Sequence, residues 1–181
     1  MLRGSNAEEI ICQTLIDLMQ KKSLMDIKVT ELVKHANISR SSFYIYFSSI
    51  EDVVQKIEDD FISGLKDEKS IDFQDLENRD SVKLLPTLQY IKENMYTYKT
   101  LIGENGDPYF QYRLSNRSTK LLMEFDSGLS DVKKRMIIEY INGGRWQMYK
   151  WWAQNEEEVT IEEVADLTNK IIKQVFVLLN E

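Results

Sequence analysis

The sequence predicts an all-α protein, and three observations carry that prediction. Among 181 residues there are only 7 Gly and 2 Pro, too few turn-forming residues for a sandwich or barrel of many short strands. Apolar residues recur at the three- and four-residue spacing of helices along most of the chain. No stretch shows the alternation of a half-buried strand. We therefore expect one compact domain, or two small ones that share a core.

The first fifty residues are predicted to form three helices. A helix is expected over 7–22, followed by a short one that Thr30 caps. Asn37 is one of the few residue types that tolerate the left-handed backbone region, which suits a tight turn. Ser39 is a good N-cap for a third helix over 40–46. The short turn between the second and third helices has helix-turn-helix spacing.

The rest of the chain is predicted to be helical except for an acidic stretch over 66–80, interpreted as a loop. Capping boxes, in which two side chains three apart satisfy end amides, are expected at Ser48 with Glu51 and at Thr160 with Glu163. The other expected helices cover 84–94, 95–103, about 107–125 starting at Asp107-Pro108, 130–154 with an interruption at Gly143-Gly144, and 160–179. The last helix has an apolar stripe wide enough to predict burial on two sides.

The net charge of −7 is unevenly distributed. Residues 1–50 carry +1, residues 51–80 carry −7 and residues 81–181 carry −1. Within the first part, residues 21–50 carry +3 together with His35. The low isoelectric point of the whole chain therefore does not exclude nucleic acid as a partner of this segment.

The residues of this sequence do not support a common class of enzyme active site. A nucleophilic triad needs a histidine to relay protons, and the single histidine, His35, lies among charged residues, which predicts a solvated ring. Cys12 lies beside Ile10 and Ile11, which predicts a buried, inert thiol. No glycine-rich phosphate loop is present, and acidic pairs such as Asp59-Asp60 are typical of solvated faces. We expect no catalytic residue, no metal and no cofactor.

The apolar runs are short and broken by charges, which predicts no transmembrane span. A single cysteine excludes an internal disulfide framework and is compatible with a reducing compartment. We therefore expect a cytoplasmic protein.

Residues 30–54 read TELVKHANISRSSFYIYFSSIEDVV. With the first helix, this segment resembles the DNA-binding region of the tetracycline-repressor (TetR) family over about residues 7–60. The matching features are the threonine-capped helix, the Ala-x-Ile-Ser turn, the Ser-Phe-Tyr-x-Tyr-Phe helix and the Ser-Ser-x-Glu-Asp start of the fourth helix. The resemblance implies a helix-turn-helix DNA-binding domain over 1–50, followed by a helical-bundle regulatory and dimerisation domain over 51–181.

The physics of duplex recognition agrees with this implication. The first residues of a recognition helix meet base edges, so Arg40, Ser41 and Ser42 are the candidates for base contacts, and arginine can bind guanine with two hydrogen bonds. Thr30 and Ser39 begin helices, whose free amides can bind phosphates. The resemblance adds Tyr44 and Tyr46 as phosphate contacts, with the neighbouring phenylalanines in the core.

Two departures from the family pattern weaken the expected DNA contacts. The family usually has a lysine two residues after the position of Ser48, where this chain has Ile50. The family often carries a basic N-terminal arm, whereas only Arg3 precedes the first helix here. Each missing phosphate contact lowers the affinity and removes roughly one unit of salt dependence.

The segments YIKEN, LIGENGDPYF and GGRWQMYKWW beyond residue 80 resemble one subgroup of TetR-like C-terminal regions. That resemblance implies a four-helix dimer interface built by the last two helices of each copy. The predicted interface residues are Gly143, Gly144, Ile171, Val175 and Leu178. It also implies a cavity for a small-molecule effector of unknown chemistry, for which the candidate residues are Tyr90, Phe110, Trp146 and Tyr149.

The sequence therefore predicts a homodimeric transcriptional repressor that binds a palindromic DNA operator and is released by a small molecule. The alternative is a helical co-regulator that acts through a protein partner and has lost independent DNA binding. Ile50 and the thin basic arm favour that alternative, whereas the intact pattern over 39–47 disfavours it. A helical-bundle enzyme is the third possibility.

Overall fold

The computed structural model describes residues 4–65, 84–124 and 129–177. All regular secondary structure in those ranges is helical, which confirms the predicted all-α class. The elements are α1 (Gly4–Met19), a 3₁₀ turn (Leu24–Asp26), α2 (Val29–His35), α3 (Arg40–Tyr46), α4 (Ile50–Gly64), α5 (Leu85–Glu93), α6 (Met95–Ile102), α7 (Phe110–Met123), α8 (Asp131–Gln154) and α9 (Ile161–Val177).

The first of two packing units comprises the described residues within Met1–Ser63 and Tyr96–Phe110. Its core is a cluster of fully buried apolar side chains that includes Ile11, Leu15, Leu32, Phe43 and Val53. The spacing of these residues places them on the inner faces of α1, α2, α3 and α4. The helix-turn-helix is therefore fixed by a continuous apolar core.

Helix α6 belongs to this first unit although it follows the helix-turn-helix by fifty residues. The Tyr96 hydroxyl donates a hydrogen bond to Asp17 Oδ1 over 3.1 Å, and the Gln20 amide bonds the Thr100 hydroxyl. Just beyond α6, the Asn105 carbonyl accepts from the backbone amide of Leu24 at 2.9 Å. The end of α1 and the turn after it are thus fastened to the 96–105 segment.

The second unit comprises the described residues within Gly64–Met95 and Gln111–Glu181. Helix α9 packs on both α5 and α8, and Trp146, Tyr149 and Trp152 are buried along one side of α8. These three aromatic residues are spaced three apart, so that they share one face of the helix.

A buried polar layer joins α7 to α8 in this second unit. The Asn142 amide donates to Thr119 Oγ1 over 3.1 Å, and Arg145 donates to Ser118 Oγ over 2.8 Å and to Asn142 Oδ1 over 3.0 Å. The Arg145 guanidinium also lies 4.9 Å above the Trp146 ring. Because buried polar groups are costly without such partners, these bonds specify how α7 and α8 align.

The expected interruption of α8 at Gly143-Gly144 is wrong, because α8 runs unbroken from Asp131 to Gln154. Glycine in a helix interior costs about 1 kcal/mol relative to alanine. The buried face of α8, with Ile138 and Ile141 before the pair and Trp146 after it, outweighs that cost. The expected domain boundary after residue 50 stays a prediction. The packing units divide after Ser63 instead, since the buried side of α4 completes the core of the first unit.

Replacing Gly106 by alanine is expected to destabilise the first unit by about 1–3 kcal/mol. A Cβ atom at this position would lie 2.3 Å from the Leu101 carbonyl oxygen and 2.7 Å from that of Thr100. Both are backbone atoms, so the turn after α6 must move to admit the methyl group. Urea unfolding followed by circular dichroism measures the loss. Glu104→Ala, an exposed change in the same turn, is the matched control, and equal stability of the two variants would contradict the prediction.

Candidate functional site

The turn between α2 and α3 has the geometry that its residues predict. Asn37 adopts φ 53°, the left-handed conformation expected for it. The Ile38 amide donates to the Val33 carbonyl over 3.0 Å, which closes the end of α2. Helix α3 then begins at Arg40 and ends at Tyr46, in agreement with the predicted bounds.

Ser39 caps α3 through a compact hydroxyl cluster. Its Oγ accepts from the backbone amide of Ser42 over 3.0 Å and lies 2.8 Å from the hydroxyls of both Ser41 and Ser42. Serine at this position contributes about 1 kcal/mol to helix stability. The cluster also means that the side chains of two predicted base readers, Ser41 and Ser42, are held against the cap.

The two sides of α3 differ sharply in burial. Phe43 and Phe47 are buried, with ring centroids 6.1 Å apart, and hold the helix against the core. Arg40 is exposed, Tyr44 is 52% exposed and Tyr46 is half-buried. The structure thus brings Ser39 and the predicted contacts of α3 together on one short helix, with the longest polar side chains pointing away from the core.

The predicted role of Thr30 as a helix cap is wrong. Helix α2 begins at Val29 with Lys28 as its N-cap, and no side chain caps it. The first turn already closes at Lys28, whose carbonyl accepts from the amides of Glu31 and Leu32 at 2.9 and 3.0 Å. Thr30 is an exposed residue in the first turn of α2, so its contact with a phosphate stays a prediction.

The predicted capping box at the start of α4 is displaced by one residue. Ser49 Oγ accepts from the Asp52 amide over 3.2 Å, and Asp52 Oδ2 accepts from the Ser48 amide over 2.9 Å. The pair is therefore Ser49 with Asp52, because Ile50 at the first helical position is buried and sets where the helix starts. The position where the TetR family has a lysine is thus part of the core.

The surface of α2 and α3 is basic among the described residues. Lys28, Lys34 and Arg40 are exposed. The one acid of these two helices, Glu31, is bound by Lys22. That hydrogen bond lowers the pKa of the Glu31 carboxyl below its usual range. The surface of α2 and α3 is therefore positively charged, and its one carboxylate is already paired with a lysine. Such a surface favours the binding of a polyanion.

A second candidate surface lies on α8 and α9, around an open groove of about 470 Å³. Three of the five residues predicted for the dimer interface line it: Gly143, Gly144 and Ile171. Val175 is half-buried and Leu178 lies outside the described residues. A Cβ atom built on either glycine meets no atom within 4 Å, so both face open space in the single chain.

Sequence reasoning missed three exposed apolar residues of α8, of which the last lines this groove. They are Val132, Met136 and Tyr140. Their signal was the four-residue spacing from 132 to 140, which continues on the same side of α8 toward the glycine pair. Buried Asn142 and Arg145 were missed as well, because polar residues are rarely expected in a core.

The four residues predicted for an effector cavity do not line this groove. Trp146 and Tyr149 are buried in the second unit with edge-to-face rings 5.5 Å apart. Tyr90, in the same unit, is half-buried beside Gly64. Phe110 belongs to the first unit, where its ring packs 5.9 Å from that of Phe61. A role for these residues in effector binding stays a prediction.

The half-buried thiol of Cys12 is chemically suppressed. Burial, with a further contribution from the charge of Glu8, raises its pKa from 9.0 to about 11. Within the described residues, no group of three or more His, Cys, Asp or Glu side chains is arranged to hold a metal ion. No helix of the described part is long and apolar enough to cross a membrane.

Alkylation of Cys12 at pH 8 is therefore expected to be about 100-fold slower in the folded chain than in urea, because the thiolate fraction falls tenfold per pKa unit. Folding favours the protonated thiol, so the stabilisation that Cys12 contributes is present below pH 9 and is lost as the pH rises toward 11. Iodoacetamide labelling followed by mass spectrometry measures both rates. Similar rates in the two states would contradict the raised pKa.

Comparison with known proteins agrees with this arrangement. The TetR-type family model described as "Transcriptional regulator C-terminal region" matches residues 82–174. The activator DhaS of the dhaKLM operon of Lactococcus lactis is 29% identical over 147 residues, which cover 77% of this chain and 75% of that protein. A solved TetR regulator from Streptococcus agalactiae superposes with a TM-score of 0.68 at 20% identity, covering 93% of this chain and 94% of that one. A solved DhaS structure gives 0.57 at 22% identity, with 96% of each chain covered.

The helix-turn-helix and the helical unit that follows are those of a helix-turn-helix regulator of transcription. This chain belongs to the TetR family of transcriptional regulators.

Proposed function

We propose that this chain acts as a homodimer that places α3 of each copy into successive major grooves of a palindromic operator. The observation that carries the proposal is the difference in burial between the two sides of α3. Phe43 and Phe47 anchor one side, whereas Arg40 and Tyr44 extend from the other on a basic surface. Paired helix-turn-helix units of this kind bind half-sites about 34–36 Å apart.

The contacts within each half-site divide into two kinds. Arg40 is the base reader, because its guanidinium can bind guanine O6 and N7 together. Tyr44 binds a phosphate, with Thr30, Ser39 and Tyr46 as flanking phosphate contacts. Ser41 and Ser42 lie close to the bases but do not select among them, because their hydroxyls are already engaged with the Ser39 cap.

The two copies associate through α8 and α9. Support comes from the apolar residues of these helices that stay exposed in the single chain: Val132, Met136, Tyr140, Leu167 and Ile171. Gly143 and Gly144 lie at the groove with open space above them, so that a helix of the second copy can approach closely. Val175, four residues after Ile171, extends the same face of α9. The interface is isologous, which matches a two-fold symmetric operator.

We further infer that a small molecule bound in the second unit, near Tyr90, Trp146 and Tyr149, changes the spacing of the two α3 helices of the dimer. Such a ligand acts only through unequal affinity for the two spacings. The regulator acts in the cytoplasm, where it represses transcription while bound to its operator. Binding of the ligand releases it from the operator. The Lactococcus relative is named as an activator, so a reporter gene behind the selected operator tests whether this regulator represses or activates transcription.

The decisive experiment is selection of bound duplexes from a random pool by the full-length protein. The expected result is an enriched site with two-fold symmetry and half-sites one helical turn apart. Failure to enrich any sequence would overturn the proposal and favour the co-regulator that works through a protein partner. Enrichment of an asymmetric single site would overturn the homodimer while leaving DNA binding intact.

A further inference from the structure

Ile45 is the most exposed apolar side chain of α3, at 75% exposure. It lies two residues from both Phe43 and Phe47, which is about 200° around the helix axis. It therefore points away from the core that those two rings occupy. The exposed apolar surface of Ile45 is not buried by folding. Covering it with another molecule would therefore lower the free energy through the hydrophobic effect.

Three neighbouring features identify what covers it. Ile45 follows Ser41 by four residues and Ser42 by three, so that it shares the side of α3 proposed to face bases. The exposed residues Arg40 and Lys34 make the surrounding surface positive, and the only acid on α2 and α3 is already bound by Lys22. This combination fits a polyanion with an apolar group in its groove, and it does not fit an apolar protein surface.

The major groove of B-form DNA offers one such group, the C5-methyl of thymine. We propose that Ile45 is a specificity-determining residue that selects thymine at one position of each half-site by covering this methyl group. The proposal rests on the DNA-binding function proposed above. It explains how the helix can discriminate bases although the hydroxyls of Ser41 and Ser42 lie against the cap.

The test uses the full-length protein and the duplex selected from the random pool. Each thymine is replaced in both half-sites by deoxyuridine, which removes only the methyl group and keeps the base pair. At one position the replacement is expected to weaken binding by the wild type about tenfold, the effect of uncovering two methyl groups. Ile45→Ala is expected to bind the thymine and deoxyuridine duplexes within about twofold of each other.

Met25→Ala is the matched control, because Met25 is also strongly exposed and lies in the same unit but outside α3. It is expected to keep the tenfold preference for thymine. A preference that survives in Ile45→Ala, or a site without any methyl-sensitive thymine, would overturn the role of Ile45 alone. A pool that yields no bound duplex would overturn the proposed function and this inference together.

Discussion

Gly144→Glu is expected to turn the dimer into a monomer that still folds. The substituted side chain enters the open groove between α8 and α9, where a Cβ atom meets nothing within 4 Å. In the single chain the change is stabilising by about 0.5 kcal/mol, because glutamate has a higher helix propensity than glycine. In the proposed dimer two carboxylates are buried near a symmetry axis, and desolvation costs several kcal/mol for each ion.

The dimer dissociation constant is expected to rise at least about 100-fold, with a corresponding loss of operator affinity. Analytical ultracentrifugation over a concentration series measures the first effect, and circular dichroism shows that the helices remain. Gln154→Glu, an exposed change at the end of α8, adds the same charge outside the groove and should leave the dimer intact. If Gly144→Glu dimerises as tightly as the wild type, α8 and α9 do not form the interface.

Arg40→Ala is expected to lower operator affinity by at least about 30-fold, since a bidentate contact to guanine discriminates by about 1–3 kcal/mol and the dimer has two of them. The loss should be concentrated at one symmetric position of the site, where the variant accepts other bases. Tyr44→Phe removes a hydroxyl from a phosphate instead. It should weaken all sequences alike, by about tenfold for two such bonds.

Gel shifts over a salt series distinguish these roles from a general loss of positive charge. Lys92→Ala is the matched control for Arg40→Ala, because Lys92 is exposed and lies in the second unit. It should leave both the affinity and the salt slope unchanged. Unchanged affinity and slope in both α3 variants would show that α3 does not read DNA and would favour the co-regulator.

The elements closest to the proposed DNA contacts were predictable because their geometry is made by residues within four positions of one another. The left-handed Asn37, the Ser39 cap and the Thr160–Glu163 capping box all involve such local bonds. Local residue types therefore suffice to locate α3, and the TetR-like pattern follows from them.

The errors have a different origin. Thr30 and Ser48 are good capping residues by type, but α2 begins one residue earlier with Lys28 as its N-cap, and buried Ile50 sets where α4 begins. Gly143-Gly144 would break an isolated helix, whereas the buried aromatic side of α8 keeps it continuous. At Ser48 and at the glycine pair, packing against other parts of the chain outweighed a local preference of about 1 kcal/mol.

The sequence by itself determined the helical class, the turn between α2 and α3 and the residues that can approach a duplex, because helix periodicity and capping are properties of short segments. Only the tertiary structure decided that Ile45 points outward, that Gly143 and Gly144 border an open groove and that α6 packs with the helix-turn-helix. The hydrogen bonds of Tyr96 to Asp17 in α1 and of Thr100 to Gln20 just after α1 join residues about eighty positions apart. Such contacts depend on how the whole chain folds back on itself, which no local pattern contains.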